Sequence, residues 1–235
     1  MIKFPENWKE VGQPSDIYKI EKKLMEVVDQ LGCVNLALSG GVDSSYMCYI
    51  MKQVFGQRVN CYTIALNEIH PDYIYSAKIV SSLRVNWRYY LTEVVLADKE
   101  GDYPGDSIVR TFFEWIYKEK ISEIVCGDGI DEFMGGYYAH SNHPVHEVYY
   151  EYMLKLQREQ LIPLDYNSRD VEVYLPYIAP DLLALYNSIP MADRFDYLER
   201  KKIMIKLAEG KIPDEIIYRR KYGFVDAMII KGGLK

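Results

Sequence analysis

A chain of 235 residues, 49% hydrophobic and 26% charged, carries enough apolar material to bury a full core. Its formal net charge of -6 supplies no basic field to hold a polyanion, which argues against nucleic acid as a partner. Cys33, Cys48, Cys61 and Cys126 form no C-x-x-C pair, no signal segment opens the chain, and no stretch approaches the ~18 apolar residues of a membrane span, so a reduced, cytoplasmic protein without membrane contact is expected.

Val34 to Leu38 reads as a buried strand, followed by a turn at Ser39-Gly40-Gly41 and a helix with Tyr46, Met47, Ile50, Met51 and Val54 on one face. Val59 to Leu66 reads as a second strand. After Pro71 a helix carrying Ile74, Ala77, Val80 and Leu83 leads to a third strand over Val85 to Leu91. Ile108, Phe112, Phe113 and Ile116 mark another helix, and Ile121 to Cys126 a fourth strand. Strands separated by helices imply right-handed crossovers and a parallel sheet covered on both faces. The fold class is therefore α/β, a doubly wound, mostly parallel sheet spanning roughly residues 1–140. Beyond about Val145 the pattern turns to helices only, including one over Tyr197 to Glu209, and predicts a helical layer over roughly 145–235, with a soft boundary near Tyr138 to Pro144.

Ligands of open α/β sheets sit at the carboxyl ends of strands, where Ser39 to Ser45 falls. Two adjacent glycines let the backbone approach an anion, the following helix aims free N–H groups at it, and the Ser44 and Ser45 hydroxyls add donors. The loop lacks the lysine of the common G-x-x-x-x-G-K-[ST] pattern. A tight turn with Asp43 as helix N-cap is the plainer alternative. Asp43 beside phosphates reads as a Mg²⁺ ligand, because a bare carboxylate would repel them. Gly127-Asp128-Gly129-Ile130-Asp131-Glu132 follows the fourth strand and opens on the same sheet edge, so Asp131 is placed to face Asp43 across a nucleotide. An ordinary acidic helix start is the alternative there.

The 39–45 stretch resembles the pyrophosphate-binding loop of the PP-loop ATP pyrophosphatases, a Rossmann-like superfamily. Residues 127–132 with Gly135-Gly136-Tyr137 resemble the second signature of the asparagine synthetase family. Glu172 to Tyr177 resembles that family's core motif around the proline, and Ile212 to Phe224, with Arg219-Arg220-Lys221, its C-terminal lysine motif. The resemblance implies a single synthetase domain that uses ATP and Mg²⁺. A substrate carboxylate attacks the α-phosphorus to give an acyl-adenylate and pyrophosphate, and ammonia or an amine then forms the amide. It implies nucleotide contacts from Ser39, Gly40, Gly41, Asp43, Ser44, Ser45, Gly127 and Lys221, metal ligation by Asp43 and Asp131, and catalytic roles for Asp128 and Lys221. Asp128 stands where asparagine synthetases usually carry glutamate and the β-lactam-forming relatives tyrosine; a carboxylate there suits a general base and favours amidation over cyclisation.

The stretch before Val34 is short for a separate domain of the usual ~100 residues, so no glutaminase domain is expected. Nitrogen then comes from free ammonia, a separate glutaminase subunit or a substrate amine. Tyr174 replaces the family's usual arginine, so the resemblance does not carry over the acyl acceptor; aspartate is the leading small-molecule carboxylate. The rival readings are an intramolecular cyclase, a ligase acting on a peptide, sugar or nucleotide carboxylate, and a non-catalytic nucleotide-binding protein. His140, His143 and His146 recur every third residue, but His143-Pro144 interrupts a helix there, so no metal site is expected from them.

Overall fold

The computed structural model describes residues 2–12, 17–93 and 96–220. Five strands, β1 (Asn35–Ala37), β2 (Asn60–Ala65), β3 (Asn86–Leu91), β4 (Glu123–Val125) and β5 (Glu172–Tyr174), form one sheet in the order β3-β2-β1-β4-β5. Every pairing is parallel. The four expected strands are present, and ladder-type bonds from Asn60 N–H to the Val34 carbonyl and from Leu38 N–H to the Tyr62 carbonyl extend β1 toward its expected ends.

β5 corrects the expectation of helices alone beyond Val145. Its register places Tyr174 beside Val125, and at three residues it is too short to display a period of two. The helical expectation over Tyr197 to Glu209 also shortens. The Asp196 Oδ1 atom accepts from the amides of Leu198 and Glu199 at 2.8 and 2.9 Å, and this local turn competes with helical bonding.

Helices α1 (Ile17–Leu31), α2 (Val42–Phe55), α3 (Pro71–Leu83), α4 (Asp106–Lys118), α5 (Ile130–Met134) and α6 (Tyr138–Asn142) precede α7 (His146–Leu156), α8 (Ile162–Asn167), α9 (Pro180–Asn187), α10 (Met191–Arg194), α11 (Lys202–Ala208) and α12 (Asp214–Ile217). α1 buries Ile20, Leu24 and Val28, a stripe at spacing four, against α2, α9 and α11. On that side of the sheet Leu36, Cys61 and Val125 join Met47, Ile50 and Met51 of α2 in the larger core. On the other, Tyr62, Ile64, Ile124 and Cys126 pack on Phe112, Phe113 and Ile116 of α4 and Leu164 of α8. Burial on both faces is what an all-parallel sheet requires, and each fully buried aliphatic side chain contributes about 1.5–3 kcal/mol. The strand ends left between these layers hold the site.

Candidate active site

The glycine-rich loop is built from β1 outward. The Leu38 carbonyl accepts hydrogen bonds from Thr63 Oγ1 at 2.8 Å and Ser76 Oγ at 3.2 Å, which fixes where the chain leaves the sheet. Gly40 has φ +65°, and a Cβ there would lie 2.6 Å from the backbone nitrogen of Ser76, so only glycine permits this approach of loop to α3. Ser39 Oγ and Ser44 Oγ are 3.1 Å apart, and Ser44 Oγ also takes the Ser39 amide at 3.2 Å, so the loop is pre-shaped by its own hydroxyls. The N-cap of α2 is Gly41, with no side-chain cap; Asp43 lies inside the first turn and is free of the capping role that the plainer reading gave it.

Because β1 and β4 are neighbours, the 127–132 turn emerges beside this loop. The Lys201 ammonium makes ion pairs with both Asp43 and Asp131, at 2.5 Å from Asp131 Oδ1. Lys201 is buried, which by itself lowers its pKa, but the carboxylates of Asp131 and Asp43 more than offset this and hold the ammonium above its ordinary value. Gly136 seals the pair from behind: a Cβ there would fall 1.7 Å from Asp131 Oδ1 and 2.3 Å from the Lys201 Cε. Asp43 Oδ1 is buried and, among the described residues, has no hydrogen-bond partner.

A cavity of about 380 Å³ opens over these groups. Its polar wall includes Ser39, Gly41, Asp43, Ser44, Gly127, Asp128, Asp131 and Lys201. Its apolar wall, from β2 and α4, includes Ile64, Val109, Phe112 and Phe113. Burial, reinforced by the charges of Asp131 and Asp43, pushes the Asp128 carboxyl up to about 6. Gly40 packs on α3 and Ser45 is fully buried; neither lines the cavity. Lys221 lies outside the described residues.

Several residues of the candidate site were not assigned from the sequence. Lys201 sits in a run, Glu199-Arg200-Lys201-Lys202, that reads as solvated surface. A signal did exist: Lys201 precedes Met204 and Ala208 by three and seven residues, on the stripe that α11 buries. Arg219 pairs with buried Asp72 at 3.5 Å and reaches the Ser39 carbonyl at 3.4 Å, bracing the loop from the far end of the chain. Glu132 is fully buried, and its Oε1 accepts from Tyr137 Oη and Gln160 Nε2, each at 2.6 Å. Gln160 lines the cavity from a π-helical turn, Gln157–Leu161, a distortion frequent at functional sites. Of the three histidines, His140 is buried among the rings of Tyr137, Tyr149, Tyr152 and Phe195, while α6 ends before His143 and α7 starts at His146.

Among the described residues no helix is long and apolar enough to cross a membrane. A comparison with curated protein sequences finds no match. Solved structures similar to the chain include the NH3-dependent NAD synthetase from Campylobacter jejuni, at 16% identity over 77% of this chain and 96% of that one, with a TM-score of 0.42. Another is the U34-tRNA thiolase NcsA from Methanococcus maripaludis, at 16% identity over 90% of this chain and 70% of that one, with a TM-score of 0.43. The asparagine synthase family model matches residues 27–164 and 141–235, which takes in the loop, the acid turn and the segment carrying Lys201, and the chain therefore belongs to the asparagine synthase family of ATP-utilising enzymes.

Proposed function

We propose that this protein is an ATP-dependent amide-forming ligase that activates a substrate carboxylate as an acyl-adenylate. The observation that carries the reading is the convergence of Asp43 and Asp131 on one buried cation, beside a glycine-rich loop and inside a cavity with one apolar wall. The apolar wall of Ile64, Phe112 and Phe113 suits a flat purine, which gains by leaving water. The loop, with the free N–H groups of the first α2 turn, suits the phosphates.

Mg²⁺ fits the donor set. Asp43 and Asp131 are hard oxygen ligands already directed at a cation, Asp43 keeps a buried oxygen without a hydrogen-bond partner among the described residues, and the metal is commonly held by one or two carboxylates plus substrate phosphates. Bound there, it would neutralise charge on the phosphate oxygens. Lys201, beside the same carboxylates, would attract the α- and β-phosphates and stabilise the charge that grows on the leaving pyrophosphate.

In the first step a carboxylate oxygen of the substrate bonds to the α-phosphorus while the bond from that phosphorus to the α,β-bridging oxygen breaks, and pyrophosphate leaves. In the second the nitrogen nucleophile bonds to the acyl carbon, the carbon–oxygen bond to AMP breaks, and Asp128 takes the proton from nitrogen. With a pKa near 6, Asp128 is ionised at neutral pH and basic enough to serve. Aspartate is the leading acceptor, with free ammonia, ammonia from a separate glutaminase or a substrate amine as donor, and the family motif keeps Lys221 as a further candidate to neutralise phosphate charge.

The test is pyrophosphate release across a panel of carboxylic acids, with and without ammonium. Acid-dependent release together with ammonium-dependent amide formation supports the ligase. Release that needs no added nitrogen and yields a ring would move the assignment to a cyclase, and no release with any acid would refute the reading.

A further inference from the structure

Resting on the ligase reading, we infer that Arg200 is a specificity-determining residue that selects carboxylic acids carrying a second anionic group. Among the described residues three cations line the cavity: Lys201, Arg219 and Arg200. The first is paired with Asp43 and Asp131 and the second with Asp72. Arg200 differs, because among the described residues it has no carboxylate partner and is held by neutral groups alone. Its Nη1 donates to the Gly136 carbonyl at 2.6 Å, and its guanidinium carbon lies 3.8 Å from the centre of the Tyr138 ring.

That arrangement fixes the fork without neutralising it. A guanidinium has five N–H donors, and the Gly136 bond leaves donors over for a ligand. Stacking on an aromatic face leaves the charge intact while reducing the rotamer freedom a ligand must remove. The position is also registered to the chemistry. Gly136 is pressed against Asp131 and Lys201, so the carbonyl that holds Arg200 belongs to the residue that backs the phosphate side of the site. The purine wall is formed by β2 and α4, whereas Arg200 immediately precedes the Lys201–α11 segment, which packs on α2 and α5. An acid whose reacting carboxylate lies at the α-phosphorus can extend its other end toward this wall. A planar fork there binds a second carboxylate or a phosphate in bidentate fashion; a neutral or cationic tail would leave the guanidinium desolvated and uncompensated.

The experiment titrates the full chain with succinate, 3-phosphonopropionate and butyrate by calorimetry, both alone and in the presence of Mg²⁺ and α,β-methylene-ATP. The two dianions are expected to bind about ten- to a hundred-fold tighter than butyrate, the size of one charge-assisted contact. Arg200→Met should reduce that preference to about two-fold or less and leave nucleotide affinity unchanged, and Arg200→Lys should restore part of it. Circular dichroism of both variants reports whether they fold. Equal binding of succinate and butyrate by the unaltered protein overturns the inference, as does a preference that survives in a folded Arg200→Met variant. Loss of nucleotide affinity in that variant also overturns it, because Arg200 would then serve the phosphates. The better of the two dianions identifies the second group as carboxylate or phosphate. Pyrophosphate release on the same acids separates the two claims: dianion binding through Arg200 without release would sink the ligase reading and leave the selectivity standing.

Discussion

The Tyr177 hydroxyl donates a hydrogen bond to the backbone carbonyl of Asp43 at 2.8 Å, across 134 residues of sequence. Tyr177 is 1% exposed and follows Pro176 at the end of the segment that begins with β5. The bond explains why a motif distant in sequence belongs to the same site: the first turn of α2 is held down by the strand segment on the far side of β4.

Removing that hydroxyl tests the link. Tyr177→Phe leaves the ring packing intact and deprives a carbonyl of its partner, which costs about 1 kcal/mol in denaturant unfolding. With the phosphates on this loop, as proposed, KM for ATP should rise several-fold with kcat nearly unchanged. An equal fall in kcat with KM untouched would show that the bond serves the chemistry and not the cradle.

Lys201 and its two carboxylates respond in opposite ways to loss of charge. Lys201→Met leaves Asp43 and Asp131 facing each other with no cation between them, and breaking a buried pair in this way destabilises by about 3–5 kcal/mol. Added Mg²⁺ should recover much of that loss, so the thermal midpoint of Lys201→Met should rise with millimolar MgCl₂ more than that of the unaltered protein. Asp43→Asn and Asp131→Asn should abolish pyrophosphate release with smaller effects on folding. A Lys201→Met variant whose midpoint ignores Mg²⁺ would argue against metal between these carboxylates.

In the proposed mechanism Asp128 separates the two half-reactions. Asp128→Asn cannot accept a proton, so pyrophosphate release should persist while amide formation falls by about 10²–10⁴-fold, the usual worth of a general base. Burial raises the Asp128 carboxyl to about 6. The base form is the ionised one, so amide formation should climb as pH rises through that value and flatten above it. A profile that declines across the same interval would assign the residue as an acid.

The cysteines offer a check on the core. Cys33, Cys48, Cys61 and Cys126 are buried, and burial pushes the Cys33 thiol up to about 12. Thiolate is the reactive form, so native protein at pH 8 should resist iodoacetamide at all four positions, with labelling appearing only as denaturant unfolds the chain. Rapid native labelling of Cys33 would contradict its place beneath β1.

Local sequence determined the alternation of short apolar strands with helices, the glycine-rich turn after β1 and the acid turn after β4. Each of these rests on interactions within a few residues: side-chain period, the φ requirement of Gly40, free amides at a helix start. A parallel sheet opens the turns after β1 and β4 on the same edge, but that β1 and β4 are neighbours, so that Asp43 and Asp131 meet at Lys201, was decided by the strand order. Tertiary structure alone decided the rest. β5 is three residues long and becomes a strand only by pairing with β4. Lys201 and Arg200 fall in the helix expected over Tyr197 to Glu209 with no role of their own until packing of α11 against α2 and α5 brings them to the cavity. A local pattern encodes backbone preference, but the value of a charge depends on which distant groups surround it, and that is fixed only when the layers close.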